Sequence, residues 1–279
     1  MSSTDRLAAT VDLGGGVRMP QLGLGTWPMN DAEAARAIAQ AIGLGYRLID
    51  TAENYQNETG VGQGIKASGI AREQVFVTSK FNRRWHSLAG VREACEHSLR
   101  RLGLDYLDLF LIHWPNPDQD RYVEAFEGLV KLREAGLVRA IGTSNFKPAH
   151  LQRLFAVGLQ PQLNQIQLDP YHRRDDLVAI HRAHGIVTES WRPLGCGSDM
   201  LSDPVVAGIA RTHARTAAQV LLRWQVQQGF VTCPKSSDAL RQAQNLSVFD
   251  FVLSAAEMAA LDALDRPDPQ MFDADHFGH

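Results

Sequence analysis

Several features that define whole classes of protein are scarce in this 279-residue chain. It has three cysteines and no Cys-x-x-Cys pair, which excludes a disulfide framework and fits a reducing compartment. No apolar stretch approaches the roughly 18 residues that a membrane span needs, and the first ten residues carry no secretory apolar run. We therefore expect a cytoplasmic protein that is neither exported nor inserted in a membrane.

An excess of positive charge is also missing. The 28 basic residues are interspersed among 31 acidic ones, so no positive field exists to hold a nucleic-acid backbone. The pairs Arg83-Arg84 and Arg100-Arg101 are typical of solvated faces. We expect neither a nucleic acid nor a membrane as partner.

The chain has no low-complexity block and no mid-chain linker rich in Pro, Gly or Ser, which indicates a single domain over residues 1–279. Gly14-Gly15-Gly16 predicts the turn of a β-hairpin over Thr10–Met19, because such a turn needs positive φ. After it, β-rich and helical runs alternate. The predicted pairs are Gln21–Gly25 with Asp31–Gly43, Tyr46–Asp50 with Glu58–Ser68, Val75–Lys80 with Leu88–Leu102, Leu107–His113 with Arg121–Ala135, Val138–Ser144 with Pro148–Val157, Gln162–Gln167 with Asp175–His184, Ile186–Ser190 with a long helical region Pro204–Gln228, and Phe230–Cys233 with Ser237–Asn245.

Eight strand–helix units in order predict an α/β protein with a closed (β/α)8 barrel. Leu107–Ile112 is mostly apolar, as expected of a strand covered by helices. The competing fold is a doubly wound sheet, but no Gly-x-Gly-x-x-Gly follows the first strand. Gly60, Gly62 and Gly64 lie inside a helical stretch instead, where they favour close packing. The predicted helix ends carry glycines suited to the left-handed C′ position, namely Gly43, Gly69, Gly103, Gly136, Gly158, Gly185 and Gly229.

Beyond the last unit, a helix is predicted over Ala255–Leu264 with Ser254 as its N-cap. The segment Arg266-Pro267-Asp268-Pro269 cannot continue that helix, because proline lacks the backbone donor. We expect the remaining tail to fold over the barrel mouth.

Four polar side chains stand at or just after predicted strand ends. Asp50 and Tyr55 follow the second strand, Lys80 ends the third and His113 ends the fourth. In a parallel barrel these ends meet at one rim, which is where such barrels hold their active sites. Each residue alone also has a structural interpretation, respectively as an N-cap, a loop aromatic, a surface cation and a satisfied core histidine.

Taken together, the four side chains predict proton donation to a carbonyl. A phenol with an ordinary pKa of about 10 becomes a useful acid near neutrality only beside a cation, and Lys80 would supply that charge to Tyr55. Asp50 would keep the Lys80 ammonium charged. His113 would donate a hydrogen bond to the carbonyl oxygen.

Longer motifs resemble a known family. Gly45 to Gly62, including Glu58, matches the first signature of the aldo-keto reductase superfamily at every defined position. Val138 to Phe146 resembles the second, with Thr143 where an aliphatic residue is usual, and Pro234-Lys235-Ser236 with Arg241 and Asn245 resembles the third. The chain resembles this family along nearly its entire length, and in particular the bacterial subgroup of 2,5-diketo-D-gluconate reductases.

The resemblance implies a monomeric NADPH-dependent reductase whose catalytic tetrad is Asp50, Tyr55, Lys80 and His113, with Tyr55 as general acid. It also implies a cofactor lying extended across the strand ends. The positions implied to contact the cofactor are Thr26, Asp50, Ser144, Asn145, Gln165, Trp191, Leu194, Lys235, Ser236, Arg241, Gln244 and Asn245.

Within that set, Ser144, Asn145 and Gln165 would bind the nicotinamide carboxamide and Trp191 would stack on its ring. Two positive charges and a hydroxyl, from Lys235, Arg241 and Ser236, suit the 2′-phosphate of NADPH. The uncharged 2′-hydroxyl of NADH would not require these charges. Gln244 replaces the glutamate that commonly contacts the adenine. The implied substrate-pocket residues are Trp27, Tyr55, His113 and Trp114.

The chain departs from the subgroup at three places: Arg192 replaces a glycine after Trp191, Asp169 replaces a histidine, and the loop after Lys80 carries its tryptophan later, at Trp85. Metal chemistry is not expected, because no His-x-His strand motif occurs and His181-x-x-His184 and His276-x-x-His279 lack matching carboxylates.

Three functions stay open. The first is NADPH-dependent reduction of aldehydes and ketones, including α-dicarbonyls or keto sugars. The second is a Schiff-base lyase using Lys80, which Asp50 disfavours because such a lysine must be neutral to attack. The third is a nicotinamide-cofactor-binding sensor with little turnover, which would need none of the four reactive side chains. The reductase is preferred, and the sequence does not identify its physiological carbonyl.

Overall fold

The computed structural model describes residues 9–266 and 271–279. Two strands form a small antiparallel sheet, and eight strands form a parallel sheet in which chain order is also sheet order. The strands are β1 Thr10–Asp12, β2 Arg18–Pro20, β3 Leu24–Gly25, β4 Leu48–Asp50, β5 Phe76–Phe81, β6 Leu107–Ile112, β7 Val138–Ser144, β8 Leu163–Gln167, β9 Val187–Trp191 and β10 Val231–Thr232.

The parallel sheet closes on itself. Parallel bridges join Leu22 to Thr232 and Gly25 to Lys235, so the segment around β3 pairs with the segment around β10. Helices follow the strands as predicted, and the (β/α)8 barrel is confirmed. The helices are α1 Asp31–Leu44, α2 Glu58–Ser68, α3 Leu88–Leu102, α4 Tyr122–Glu134, α5 Pro148–Phe155, α6 Asp175–Ala183, α7 Pro204–Thr212, α8 Ala217–Gln227, α9 Ala239–Leu246 and α10 Ala255–Asp262.

Other helix ends differ from the prediction by one or two residues, and two differences have a clear physical reason. The long helical region 204–228 is two helices, because Ala214 takes a left-handed φ of 49° and Thr216 starts α8 by accepting a hydrogen bond from the Gln219 amide. Gly43 does not end α1. The helix continues to Leu44, and Gly45 takes the left-handed position with a φ of 116°.

The hairpin and the tail lie at opposite ends of the barrel. β1 pairs with β2 as predicted. Leu13 and Val17 of the hairpin belong to one hydrophobic cluster with Leu48 and Phe76, the first residues of β4 and β5. The hairpin therefore covers the end of the barrel where the strands begin.

Residues 271–279 lie over the other end, which confirms the predicted place of the tail. The Trp114 ring packs against Phe277 with centroids 4.8 Å apart. Lys147 Nζ pairs with Asp273 at 2.8 Å. Ser254 caps α10 as predicted, accepting a hydrogen bond from the Glu257 amide at 3.3 Å. The prediction for the Pro267-Asp268-Pro269 segment concerns residues outside the described part of the chain.

The glycines of α2 allow close helix packing. A Cβ atom on Gly60 would overlap the backbone of Asp31, and one on Gly62 would overlap the backbone of Leu102. The prediction that these glycines permit close approach is confirmed, and α2 is thereby held between the start of α1 and the end of α3.

We expect Gly62→Ala to lower the free energy of unfolding by about 1–3 kcal/mol, because the added methyl group would overpack against a carbonyl that side-chain rotation cannot move. Gly208→Ala is the matched control inside α7, where the added Cβ meets nothing closer than the tip of Arg211 at 3.9 Å. The control should gain up to about 1 kcal/mol from helix propensity. Urea unfolding measures both, and equal changes in the two variants would contradict the packing argument.

Candidate active site

A cavity of about 460 Å³ opens at the rim where the barrel strands end. Most of the predicted site residues line it, together with others that the sequence did not predict as contacts. The predicted residues in its wall are Thr26, Trp27, Asp50, Tyr55, His113, Trp114, Ser144, Asn145, Gln165, Trp191, Leu194 and Lys235. The others are Gly25, Pro28, Asn54, Arg192, Pro193, Cys196, Cys233, Pro234, Phe272 and His279.

Lys80 joins the predicted tetrad from behind the cavity wall. It is fully buried in β5, and its Nζ donates to both Asp50 carboxylate oxygens at 2.8 Å. The same Nζ contacts the Thr51 carbonyl at 3.0 Å and the Tyr55 hydroxyl at 3.4 Å. The structure therefore places the lysine, the carboxylate and the phenol in one hydrogen-bonded group.

Burial and charge act against each other in this group. Burial is the largest single influence on Lys80 and lowers its pKa, but the charge and hydrogen bonds of Asp50, together with Tyr55 and Glu189, outweigh burial and raise that pKa above its usual range. Lys80 is therefore an ammonium ion at neutral pH. The pKa of Tyr55 is raised, because burial exceeds the opposing effect of Lys80. The expected lowering by the cation is present, but the phenol is a neutral proton donor in the free protein.

His113 stands beside Tyr55, with ring centroids 5.9 Å apart in an edge-on arrangement. Burial lowers the pKa of His113 well below its usual value, and the charge of Lys80 acts in the same direction. The imidazole is therefore neutral and carries one N–H. Its Nδ1 is buried and has no hydrogen-bond partner among the described residues.

Polar groups also meet at the ends of β7, β8 and β9. The Asn145 backbone N–H and the Ser144 hydroxyl both donate to the Gln165 backbone carbonyl, at 2.8 Å and 3.0 Å. Trp191 Nε1 donates to Asn145 Oδ1 at 2.9 Å. Gln165 Nε2 donates to Asp50 at 3.1 Å, which connects this group to the tetrad. The structure brings these residues together, and their roles toward a cofactor stay predictions.

The predicted phosphate end of the site is more open. Lys235 lines the cavity and pairs with Glu33 on α1 at 3.0 Å. Arg241 projects from α9 with 75% of its side chain exposed, 3.9 Å from Asp238. Ser236 accepts a hydrogen bond from the Asp238 amide at 3.2 Å. Ser236, Arg241, Gln244 and Asn245 do not line the cavity, and they lie on the loop and helix beside it.

Sequence reasoning missed the tail residues and one buried carboxyl group. The His279 ring lies 4.9 Å from that of His113, and the Arg192 guanidinium lies 5.0 Å above the Phe272 ring. No pattern in the tail signals these contacts. Glu189 is fully buried in β9, and a charged residue inside a predicted barrel strand is the signal that could have revealed it.

In residues 9–266 and 271–279, no group of three or more His, Cys, Asp or Glu side chains is placed to hold a metal ion. The His181 ring is hydrogen-bonded to the Thr188 hydroxyl at 2.9 Å.

None of the helices in the described part of the chain is long and apolar enough to cross a membrane.

Comparison with known proteins identifies the family. Residues 19–266 match the Aldo/keto reductase family. An aldo-keto reductase of Mycolicibacterium vanbaalenii is 47% identical over 269 residues, covering 94% of this chain and 96% of its own. Methylglyoxal reductase DkgA of Salmonella typhimurium is 44% identical over 262 residues, covering 91% and 94%.

A solved structure carries the same fold. The crystal structure of a Gox0644 variant in complex with NADPH aligns with a TM-score of 0.92 at 42% identity, covering 97% of this chain and 98% of that one. Sequence, fold and the composition of the strand-end cavity agree with one another. The chain belongs to the aldo/keto reductase family of oxidoreductases.

Proposed function

We propose that this protein reduces aldehydes and ketones to alcohols by hydride transfer from NADPH, with Tyr55 as the general acid. The observation that carries the proposal is the hydrogen-bonded group formed by Lys80, Asp50 and Tyr55 at the cavity wall. A neutral phenol beside a buried ammonium ion can give up a proton and leave a phenolate that the ammonium stabilises.

The side chains around the cavity fit a nicotinamide dinucleotide phosphate. Hydroxyl and amide groups of Ser144, Asn145 and Gln165 suit a carboxamide, and Trp191 beside them supplies an aromatic face. Lys235 and, on the neighbouring helix, Arg241 supply cations for a phosphate. When bound there, the cofactor would supply the hydride. The NADPH complex of Gox0644 supports this assignment.

The tetrad would divide the proton chemistry among its members. As the carbonyl carbon receives a hydride, its oxygen receives the proton of the Tyr55 hydroxyl, which yields the alcohol and a phenolate. Lys80 stabilises that phenolate by charge and by its contact at 3.4 Å. Asp50 keeps Lys80 charged, and the neutral His113 donates its N–H to the carbonyl oxygen.

The cavity walls favour small carbonyl compounds that carry an apolar substituent. Trp27, Trp114 and Phe272 provide aromatic surface near Tyr55. A relative is named a methylglyoxal reductase, which supports α-dicarbonyls as substrates, and we include keto sugars in the proposed class. The protein would act as a cytoplasmic monomer.

The Schiff-base and sensor alternatives are weaker. A lysine that forms a Schiff base must be a neutral amine, and Asp50 raises the pKa of Lys80 instead. A cofactor sensor would not need a proton donor in contact with a buried ammonium ion.

The proposal is tested by the loss of NADPH absorbance with a panel of aldehydes, α-diketones and keto acids. We expect steady turnover with at least the small dicarbonyls and slower turnover with NADH. NADPH binding without consumption across the whole panel would favour the sensor, and absence of binding would overturn the proposal.

Cofactor preference is tested at Lys235. We expect Lys235→Ala to raise the KM for NADPH by roughly 10–100-fold, since a charge-assisted hydrogen bond to phosphate is worth about 1.5–3 kcal/mol, and to leave the KM for NADH nearly unchanged. Lys131→Ala is the matched control, because Lys131 also pairs with a glutamate at 3.0 Å but on α4. Equal effects on both cofactors would contradict a phosphate contact.

A further inference from the structure

Glu189 is an unusual buried acid. It is the third residue of β9, it is fully buried, and it does not line the cavity. Its Oε1 accepts a hydrogen bond from the Cys233 thiol at 3.2 Å, and its Oε2 has no hydrogen-bond partner among the described residues. A thiol is a weak donor, so the carboxyl group is poorly solvated by the protein.

Two other buried carboxylates in the barrel are paired with arginine side chains. Asp108 pairs with Arg72 at 2.7 Å and Arg139 at 2.6 Å. Glu58 pairs with Arg101 at 2.5 Å. Such pairing is the usual requirement for a buried charge. Glu189 forms no ion pair with the described residues, so its charged form is not held by a dedicated cation.

Glu189 is connected to the tetrad through its neighbour in the sheet. Its Cα partner in β8 is Gln165, and Gln165 Nε2 donates to Asp50, which holds Lys80. Lys80 in turn contacts the Tyr55 hydroxyl. A change of charge on Glu189 therefore reaches the proton donor through a short chain of buried polar groups.

The titratable groups that face Glu189 come from several elements. They are Asp50 of β4, Lys80 of β5 and Cys233 after β10. Burial raises the pKa of Glu189 to about 7, the negative charge of Asp50 acts in the same direction, and Lys80 opposes both. Ionised Glu189 in turn raises the pKa of Tyr55.

We propose that Glu189 is a positioning residue, a buried carboxyl group whose loss of a proton to solvent makes Tyr55 a weaker proton donor and so slows carbonyl reduction. The inference rests on the proposed function and adds a proton-sensitive control to it. Below neutral pH the neutral carboxyl leaves Tyr55 under the influence of Lys80. Above neutral pH the added negative charge holds the phenolic proton more tightly, and reduction slows.

The first test is the pH profile of kcat at saturating NADPH with an uncharged aldehyde. We expect the parent protein to lose activity by about 3–10-fold as the pH rises through about 7. Glu189→Gln, which keeps the shape and cannot ionise, should hold the rate of the acidic plateau across this range. A parent profile without the fall, or a variant that keeps it, would overturn the inference.

Two substitutions of Cys233 test the same inference by shifting the midpoint of the pH profile in opposite directions. Cys233→Ser offers a stronger donor to the carboxylate and should move the midpoint of the fall to lower pH, whereas Cys233→Ala removes the donor and should move it to higher pH. Shifts in the same direction for both variants would contradict the role of Glu189. If Cys233 contributed only to the structure, the two variants would differ in stability, and their midpoints would not shift in opposite directions.

A second readout does not depend on turnover. In protein labelled with carbon-13 at the glutamate carboxyl, the resonance that disappears in Glu189→Gln belongs to Glu189, and we expect it to titrate near neutral pH. Titration in the usual range of exposed glutamate, near 4.3, would overturn the inference. A carboxyl that titrates near neutrality in a protein that reduces no carbonyl would instead overturn the proposed function, and with it this role of Glu189.

Discussion

Tyr55→Phe is expected to lower kcat for carbonyl reduction by about 10²–10⁴-fold, the usual contribution of a positioned general acid, and to leave the affinity for NADPH nearly unchanged. The variant loses only the hydroxyl that contacts Lys80 at 3.4 Å. The phenolic proton is transferred in the transition state and is not needed to hold the cofactor. Steady-state rates and quenching of tryptophan fluorescence by NADPH measure the two quantities.

Tyr171→Phe provides the control for removing a tyrosine hydroxyl. Tyr171 is buried, its hydroxyl donates to Asp203 at 2.9 Å, and it does not line the cavity. We expect this variant to lose stability and keep its turnover number. If Tyr55→Phe reduced aldehydes at the parent rate, the assignment of the proton donor would be wrong.

Most helices of the barrel were predictable because the residues that cap their ends can be recognised in the sequence. Ser87 accepts a hydrogen bond from the Gly90 amide at the start of α3, and Gly103 ends that helix with a φ of 65°. Both bounds of α3 and of α2 were predicted correctly. The division between α7 and α8 was not, because the left-handed turn at Ala214 is made by a residue that normally favours helix.

The site was predictable where it depends on strand ends and was not where it depends on distant chain segments. The register of a parallel sheet brings Asp50, Lys80 and His113 to one rim whatever the loops do. The tail contacts depend on loop geometry, and no periodic pattern encodes them. The net pKa shift of Tyr55 was also beyond sequence, since it depends on how deeply the phenol is buried.

Expectations that depend on surroundings outside this chain stay predictions. The expected cytoplasmic location rests on the cysteine usage of the chain, and the expected monomeric state rests on its resemblance to the family. The residue roles within the tetrad likewise await measurement, although the structure has brought its members together.

Lys80→Met is expected to have two large effects that can be separated. Removing the ammonium ion leaves the Asp50 carboxylate buried without its cation, which costs about 3–5 kcal/mol of folding stability. The same change removes the charge that stabilises the phenolate of Tyr55, so kcat for reduction should fall by about 10²–10⁴-fold. Urea unfolding and steady-state kinetics measure the two effects.

The double variant Asp50→Asn/Lys80→Met distinguishes a structural lysine from a catalytic one. A neutral amide beside a neutral thioether leaves no unpaired charge, because the two atoms that met at 2.8 Å now carry none. Most of the lost stability should therefore return. Activity should not return, since Tyr55 still lacks a cation beside its hydroxyl. Recovery of turnover together with stability would show that Lys80 only holds the fold, and the proton-transfer role assigned to the tetrad would have to be abandoned.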